Sequence, residues 1–264
     1  CTPIVTAASP DGGLAGVFAY RDDRAEILAV DARAIGAAAT LAVEGDKSAV
    51  IPTPGAIAIG SGGVVLLGAT NYHCRMAVPF NRCGEAFLFT READGWRQAQ
   101  SFPFGSDAPF SIRYGSAVAV SRDGGVVAVG GASDVGHQGE VYLHERRGDG
   151  FTEVGVLVPD ARDESAFGGA IAMSEDGRRN AVGADQAVSI VARDLRGWAL
   201  GSKLAAPEAS AGYFGGAVAL SGDGRRLLVG APRSRCAELP RCGAAYLYAQ
   251  GADAARWTQA TPIL

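Results

Sequence analysis

The sequence lacks long apolar runs and a strong excess of either charge. No segment approaches the roughly 18 consecutive apolar residues of a membrane-spanning helix, and no charged-then-apolar segment opens the chain. The net charge is −4 and both signs are interspersed, which leaves no basic stripe for a phosphate backbone. We therefore expect no nucleic-acid partner and no membrane-spanning helix.

The sequence also lacks the short motifs that carry catalytic chemistry. It contains no Gly-x-Ser-x-Gly, no His-Glu-x-x-His and no phosphate-binding glycine loop. Its three histidines, His73, His137 and His144, have no partners at matching positions, and His144 is expected at the surface. These absences predict that the chain is not an enzyme.

Glycine is abundant, with 37 residues among 264, about twice the average share of roughly 7%. The glycines show no period of three, so they indicate many turns between short strands rather than a collagen-like helix. No helix-length amphipathic segment competes with this interpretation.

The turns belong to one unit that is repeated five times. Its clearest copy begins at Phe214 and passes through Ser221-Gly-Asp223-Gly224 to Gly230-Ala-Pro232. The copies cover approximately residues 1–50, 51–113, 114–166, 167–212 and 213–264. The turn glycines are separated by 50, 62, 53 and 47 residues and are Gly12, Gly62, Gly124, Gly177 and Gly224. A period of this length is typical of solenoids and propellers.

Each unit contains four short strands. Two of them flank a Ser-x-Asp-Gly turn, in which Asp bonds its own backbone and Gly accepts a positive φ. In the last strand, two large apolar residues six positions apart face the same side, as Trp257 and Ile263 do. This pattern predicts an all-β, single-domain β-propeller of four-stranded antiparallel blades. A five-bladed ring is favoured, and the alternative is part of a seven-bladed propeller.

The Phe-Gly pairs at 167 and 214 and Gly-Ala-Pro at 230–232 resemble FG-GAP repeats, the unit of integrin α-subunit propellers and of many bacterial surface proteins. The resemblance implies a non-catalytic binding or adhesion module that engages a protein or a glycan through propeller loops. The alternatives are a glycan lyase or hydrolase, or a lectin, with its site at a propeller face.

Integrin-type repeats often carry a calcium loop rich in aspartate. The turns Ser221–Asp223 and Ser174–Asp176 offer only one or two carboxylates, whereas Ca²⁺ takes six to eight oxygen ligands. We therefore expect no metal site and no cofactor.

Four of the five cysteines flank the same loop in two copies. This placement favours the disulfides Cys74 with Cys83 and Cys236 with Cys242, although three pairings are possible and a zinc site that includes His73 is the alternative. Disulfides indicate an oxidising compartment, so an extracytoplasmic, secreted or cell-surface location in a bacterium is predicted. The two loops are the expected ligand surface, with the residues Tyr72, His73, Arg75, Arg235 and Glu238.

Cys1 remains unpaired in this scheme. A mature chain that begins with cysteine resembles a bacterial lipoprotein, so Cys1 is a candidate lipid attachment point, and a chain that merely starts there is the alternative. A membrane is expected as a partner only through this anchor, and the protein is predicted to be a monomer.

A thiol count under denaturing conditions tests the cysteine assignment. Two disulfides leave one reactive thiol among the five cysteines, or none when Cys1 is modified. Five reactive thiols would contradict both the disulfides and the extracytoplasmic location.

Overall fold

The computed structural model is built from strands. It describes residues 5–21, 24–31, 38–41, 54–70, 84–104, 112–133, 138–159, 165–207, 212–235, 242–251 and 256–259. Within these ranges it contains no helix with the length and apolar character needed to cross a bilayer.

The strands form five antiparallel sheets of four, each in simple sequence order. Sheet 1 contains β1 (Val5–Ala8), β2 (Leu14–Arg21), β3 (Arg24–Asp31) and β4 (Ala38–Leu41). Sheet 2 contains β5 (Pro54–Gly60), β6 (Val64–Ala69), β7 (Glu85–Glu92) and β8 (Gly95–Pro103). Sheet 3 contains β9 (Ile112–Val120), β10 (Val126–Ser133), β11 (Glu140–Arg147) and β12 (Gly150–Leu157). Sheet 4 contains β13 (Ala170–Met173), β14 (Arg179–Ala184), β15 (Ala187–Asp194) and β16 (Gly197–Ala205). Sheet 5 contains β17 (Ala217–Leu220), β18 (Arg226–Ala231), β19 (Ala244–Gln250) and β20 (Trp257–Gln259).

The sheets stack face to face through their first strands, since β1 contacts β5, β5 contacts β9, β9 contacts β13 and β13 contacts β17. Apolar side chains fill each junction. Leu66 and Leu88 of sheet 2, for example, share one core with Val127 and Val129 of sheet 3. The prediction of an all-β propeller with four-stranded antiparallel blades is confirmed. The described residues show no comparable packing of β17 on β1, so closure into a five-bladed ring stays a prediction.

The Ser-x-Asp-Gly turns join the first two strands as the sequence predicts. In sheet 3, the Ser121 hydroxyl donates to Asp123 at 2.6 Å and accepts from the amides of Gly125 and Val126 at 3.0 and 2.9 Å. Gly124 has a φ of 69°, in the left-handed region that favours glycine. Sheets 4 and 5 repeat this bonding around Ser174 and Ser221.

These turns define two faces of the propeller. The hairpin face carries the Ser-x-Asp-Gly turns and the turns between third and fourth strands. The loop face carries the loops between second and third strands and the connections between sheets. Function in propellers and other rigid scaffolds concentrates on loops, so the loop face is the place to search for a site.

The turn hydroxyls stabilise the fold by different amounts, because their burial differs. Ser121 is fully buried, and its hydroxyl is the side-chain acceptor of the Val126 amide, whereas the Gly125 amide also donates to Asp123 at 2.9 Å. Ser121→Ala removes this buried acceptor and should cost about 1–3 kcal/mol of unfolding free energy. Ser221 makes the same contacts at an exposed turn, where water replaces the lost oxygen.

Denaturant unfolding of Ser121→Ala and Ser221→Ala checks this difference. Ser121→Ala should lower the unfolding free energy clearly, and Ser221→Ala should lower it less. Equal losses would show that burial of the turn does not control its contribution.

Candidate functional site

Most of the predicted ligand surface lies outside the described residues. This applies to Tyr72, His73, Arg75 and Glu238. Arg235 is described, and its side chain is exposed on the loop face after β18. The assignment of these five residues to ligand binding stays a prediction.

The cysteines are described only in part. Cys242 is disulfide-bonded. Its predicted partner Cys236, the pair Cys74 and Cys83, and Cys1 all lie outside the described residues. The two pairings and the lipid attachment therefore stay predictions.

A carboxylate and a phenol form a pair at the start of β11, on the loop face. The Tyr142 hydroxyl donates to Glu140 Oε2 at 2.5 Å. Both side chains are half-buried, and they lie on the same side of the strand, since their positions differ by two. Because a carboxylate has two oxygens, Tyr142 holds one of them and the other can accept a hydrogen bond from water.

Two aromatic rings pack against the phenol of Tyr142. Tyr142 meets Tyr114 edge-on at a centroid distance of 5.2 Å and Phe104 at 5.6 Å. Phe104 also contacts Tyr114 at 5.2 Å. Tyr114 lies near the start of β9 and is buried, whereas Phe104 directly follows β8 of sheet 2. The rings fix the orientation of Tyr142 and hence of the carboxylate that it binds.

Burial keeps both phenols protonated. It is the main cause that raises the pKa of Tyr114, with a smaller contribution from the neighbouring Tyr142. Burial also raises the pKa of Tyr142, and the hydrogen bond to Glu140 raises it further. The negative charge of Glu153 acts in the same direction on both hydroxyls. Both groups are therefore hydrogen-bond donors at any physiological pH.

A further carboxylate, that of Glu85, lies on the same face. It opens β7 of sheet 2, is buried, and contributes to the raised pKa of Tyr114 across the junction between the sheets. We call Glu85, Tyr114, Glu140 and Tyr142 the phenol–carboxylate cluster. Neutral donors beside carboxylates suit the binding of a polar, hydroxyl-rich molecule and the removal of a proton from water.

Glu145, a buried carboxylate towards the hairpin end of β11, has a structural role. Glu145 accepts from Arg193 through both oxygens, at 2.7 and 2.8 Å, and from the indole of Trp198 at 3.4 Å. These donors join sheets 3 and 4 and occupy the oxygens of Glu145, so it is a poor candidate for acid–base chemistry.

His144 corrects the sequence analysis. It is buried rather than exposed, because the Phe102 ring of sheet 2 packs against its imidazole at a centroid distance of 4.7 Å. Burial lowers the pKa of His144 to about 4. The imidazole is therefore neutral at physiological pH and belongs to the core between the sheets.

Within the described ranges, no group of three or more His, Cys, Asp or Glu side chains could hold a metal ion.

Sequence reasoning missed the phenol–carboxylate cluster. Its members come from two repeats, and only Glu140 and Tyr142 are close in sequence. Tyr114 stands at the aromatic position of the repeat, so it was interpreted as part of the unit and not as a polar group. The raised density of Glu and Tyr at the strand starts of sheets 2 and 3 was the available signal.

Comparison by sequence finds one repeat family. The model of the FG-GAP repeat matches residues 198–248, which include β17, β18 and the Phe214-Gly215 pair. No curated protein is similar to the chain by sequence.

Comparison by structure finds propellers and enzymes. The chain resembles the β-propeller domain of Cps50 (Swd1) from Myceliophteria thermophila, with a TM-score of 0.62, 12% identity, and coverage of 100% of this chain and 74% of that one. It resembles the periplasmic gluconolactonase of Pseudomonas aeruginosa, with a TM-score of 0.60, 17% identity, and coverage of 98% and 69%. It also resembles a candidate 6-phosphogluconolactonase from Bacteroides uniformis, with a TM-score of 0.63, 14% identity, and coverage of 98% and 70%.

These likenesses correct the functional prediction. The interpretation as a non-catalytic binding or adhesion module, and as a protein that is not an enzyme, is wrong in the light of the lactonases among the structural neighbours. The prediction depended on missing short motifs, and strand ends from separate repeats can assemble a site without one. At these identities the likeness itself shows the fold.

The buried histidine makes stability depend on pH. The pKa of His144 is lowered to about 4 in the folded state, against an unfolded value of about 6.5. The unfolded chain therefore binds the proton more readily, and stability falls as the pH drops from about 6.5 towards 4. His144→Phe should remove on the order of 1 kcal/mol of this loss between pH 6.5 and 5.

Urea unfolding of the parent chain and of His144→Phe at several pH values measures this effect. As the pH falls, the unfolding free energy of the parent chain should decrease relative to that of His144→Phe. Parallel curves would show that His144 does not titrate in this range.

Proposed function

We propose that this chain, an FG-GAP repeat protein with a β-propeller fold, is a hydrolase that opens a sugar lactone at the phenol–carboxylate cluster. The observation that carries the proposal is the half-buried carboxylate of Glu140, oriented by Tyr142 at 2.5 Å on the loop face. The gluconolactonases among the propellers of this fold support the substrate class.

The reaction requires a general base and a positioned water. Glu140 would accept a proton from water through the oxygen that Tyr142 does not hold, while the water oxygen attacks the lactone carbonyl carbon. The ring C–O bond then breaks, and the leaving oxygen takes the proton back from Glu140. One lactone and one water give one hydroxy acid, so the base is regenerated.

The aromatic and phenolic groups have separate roles in this scheme. Tyr142 is a positioning residue, since it acts on the reaction through Glu140. Lactones of sugars carry several hydroxyls, which suit hydrogen bonds with neutral phenols and carboxylates beside an aromatic surface.

The remaining predictions from the sequence complete the proposal. The loops on the same face would contact the substrate through Tyr72, His73, Arg75, Arg235 and Glu238. An extracytoplasmic location agrees with disulfide bonds in these loops. A lipid at Cys1 would hold the enzyme at a membrane surface.

Release of acid from glucono-1,5-lactone and from 6-phosphogluconolactone, measured by pH-stat with the spontaneous rate subtracted, tests the function. Glu140→Gln should lower kcat by about 100-fold or more, because it removes the general base. Tyr142→Phe should lower it by about 10-fold, because the carboxylate loses its orientation.

The control variant is Glu175→Gln. This glutamate is exposed on the hairpin face and pairs with Arg122 at 2.7 Å, so the activity should not change. Absence of lactone hydrolysis above the spontaneous rate, or equal activity of Glu140→Gln and Glu175→Gln, would contradict the proposal.

A further inference from the structure

Each of three junctions between sheets contains two glycines in close backbone contact. The second strands of sheets 2, 3 and 4 contain Gly68, Gly130 and Gly183, and a Cβ at any of them would lie 2.0 Å from a carbonyl oxygen of the next sheet. That distance is far below any real Cβ contact, so only glycine fits at these positions. We call such a glycine the socket.

The group that approaches each socket is an aromatic–glycine turn. The carbonyls belong to Gly115, Gly168 and Gly215, whose φ values are 84°, 81° and 99°. The preceding aromatic side chains are at most 1% exposed and are Tyr114, Phe167 and Phe214. The turn and its ring together form a plug that covers the socket face of the preceding sheet.

Sheet 5 has a socket with no plug. Gly230 occupies the register position of Gly130 and Gly183, since each pairs with the corresponding alanine of its first strand. Its closest described neighbours are all atoms of Ala217 in the same sheet, beginning at 3.2 Å from a built Cβ. Within the described residues no backbone of another sheet approaches it.

The rest of this face is correspondingly exposed. Leu228 of β18 in sheet 5 is 39% exposed. The residues at the equivalent position of the second strands of sheets 2, 3 and 4 are 0% exposed and are Leu66, Ala128 and Ala181. Ala217 and Ala219 on the first strand are exposed as well. Sheet 5 therefore presents to solvent the apolar face that its predecessors bury in a junction.

A backbone ladder on the hairpin face ends at the same sheet. The amides of Ser61, Arg122 and Glu175 donate to the carbonyls of Arg122, Glu175 and Gly222, each in the next sheet, at 2.8 to 2.9 Å. In the described part of the chain, Gly222 has no further carbonyl to which its own amide donates.

The sequence before β1 offers no matching plug. The aromatic residue stands seven positions before the turn serine in sheets 3, 4 and 5, and in sheet 1 this position and the next are Thr2 and Pro3. Proline fixes φ near −65°, so it cannot adopt the left-handed conformation of the plug glycine. The junction between sheets 1 and 2 lacks both partners, because Phe18 stands at the socket position and Pro54 at the aromatic position.

A second copy of this chain does not offer a plug either, because Tyr114, Phe167 and Phe214 are already buried in their own junctions. The structural neighbours are longer than this chain, which covers 69% to 74% of three of them. We infer that the open face of sheet 5 binds one further FG-GAP-type sheet, which carries an aromatic–glycine turn and is supplied by polypeptide outside these 264 residues.

An extended chain tests this inference independently of any catalytic activity. The extension adds a second copy of residues 206–264 after Leu264, and thermal unfolding is followed by circular dichroism. We expect the extended chain to unfold at a higher temperature. Replacing the added phenylalanine that repeats Phe214 by alanine is the matched control and should remove the gain.

The substitution Gly230→Ala gives the decisive comparison. In the 264-residue chain it should change the unfolding temperature by less than about 3 °C, because the site is open. In the extended chain it should lower that temperature by about 10 °C or more, because the new methyl group would meet the added backbone. Gly183→Ala is the reference for an occupied socket.

Three results would overturn the inference. A large loss for Gly230→Ala already in the 264-residue chain would mean that sheet 1 or a second copy covers the socket. An extension that changes neither the unfolding temperature nor the effect of Gly230→Ala would mean that this face accepts no further sheet. A dimer in light scattering that Leu228→Asp converts to a monomer would assign the face to a second copy.

Discussion

The fold depends on how closely the backbone of one sheet approaches the backbone of the next. At Gly130, a hydrogen atom is all that separates the second strand from the carbonyl of Gly168. Such an approach admits no variation in side-chain size, so it sets the distance and the angle between neighbouring sheets. The apolar cores fill the remaining space and contribute most of the burial energy, but they tolerate changes that the glycine contact does not.

This contact explains why the repeat was readable in the sequence. Both partners of the contact are glycines in fixed positions, and the ring beside the turn is large and aromatic, so the same residue types recur in the three junctions from sheet 2 to sheet 5. The Ser-x-Asp-Gly turn is equally local, since its hydroxyl and carboxylate bond only to the next four or five residues. Features with a local cause were predicted, including the sheets, their order and the turns.

Features that depend on contacts between sheets were not predictable in the same way. His144 was expected at the surface because it ends an alternating strand, but Phe102 from sheet 2 covers it. Glu140 and Tyr142 stand at regular positions of the repeat, so the sequence does not distinguish them from the strand residues of the other copies. Their significance appears only when Tyr114 and Phe104 enclose the phenol, and these residues arrive from the first strand and from the preceding sheet.

The socket and the plug occur together or not at all in the four junctions that the structure describes. Where Phe18 replaces the socket glycine, Pro54 replaces the aromatic residue, and the sheets pack without the glycine contact. A socket glycine is costly where nothing requires it, because glycine loses more backbone entropy in a strand than alanine does. Gly230 is therefore informative about a neighbour. The phenol–carboxylate cluster lies at the junction of sheets 2 and 3, where socket and plug are both in place, so its geometry does not depend on what covers sheet 5.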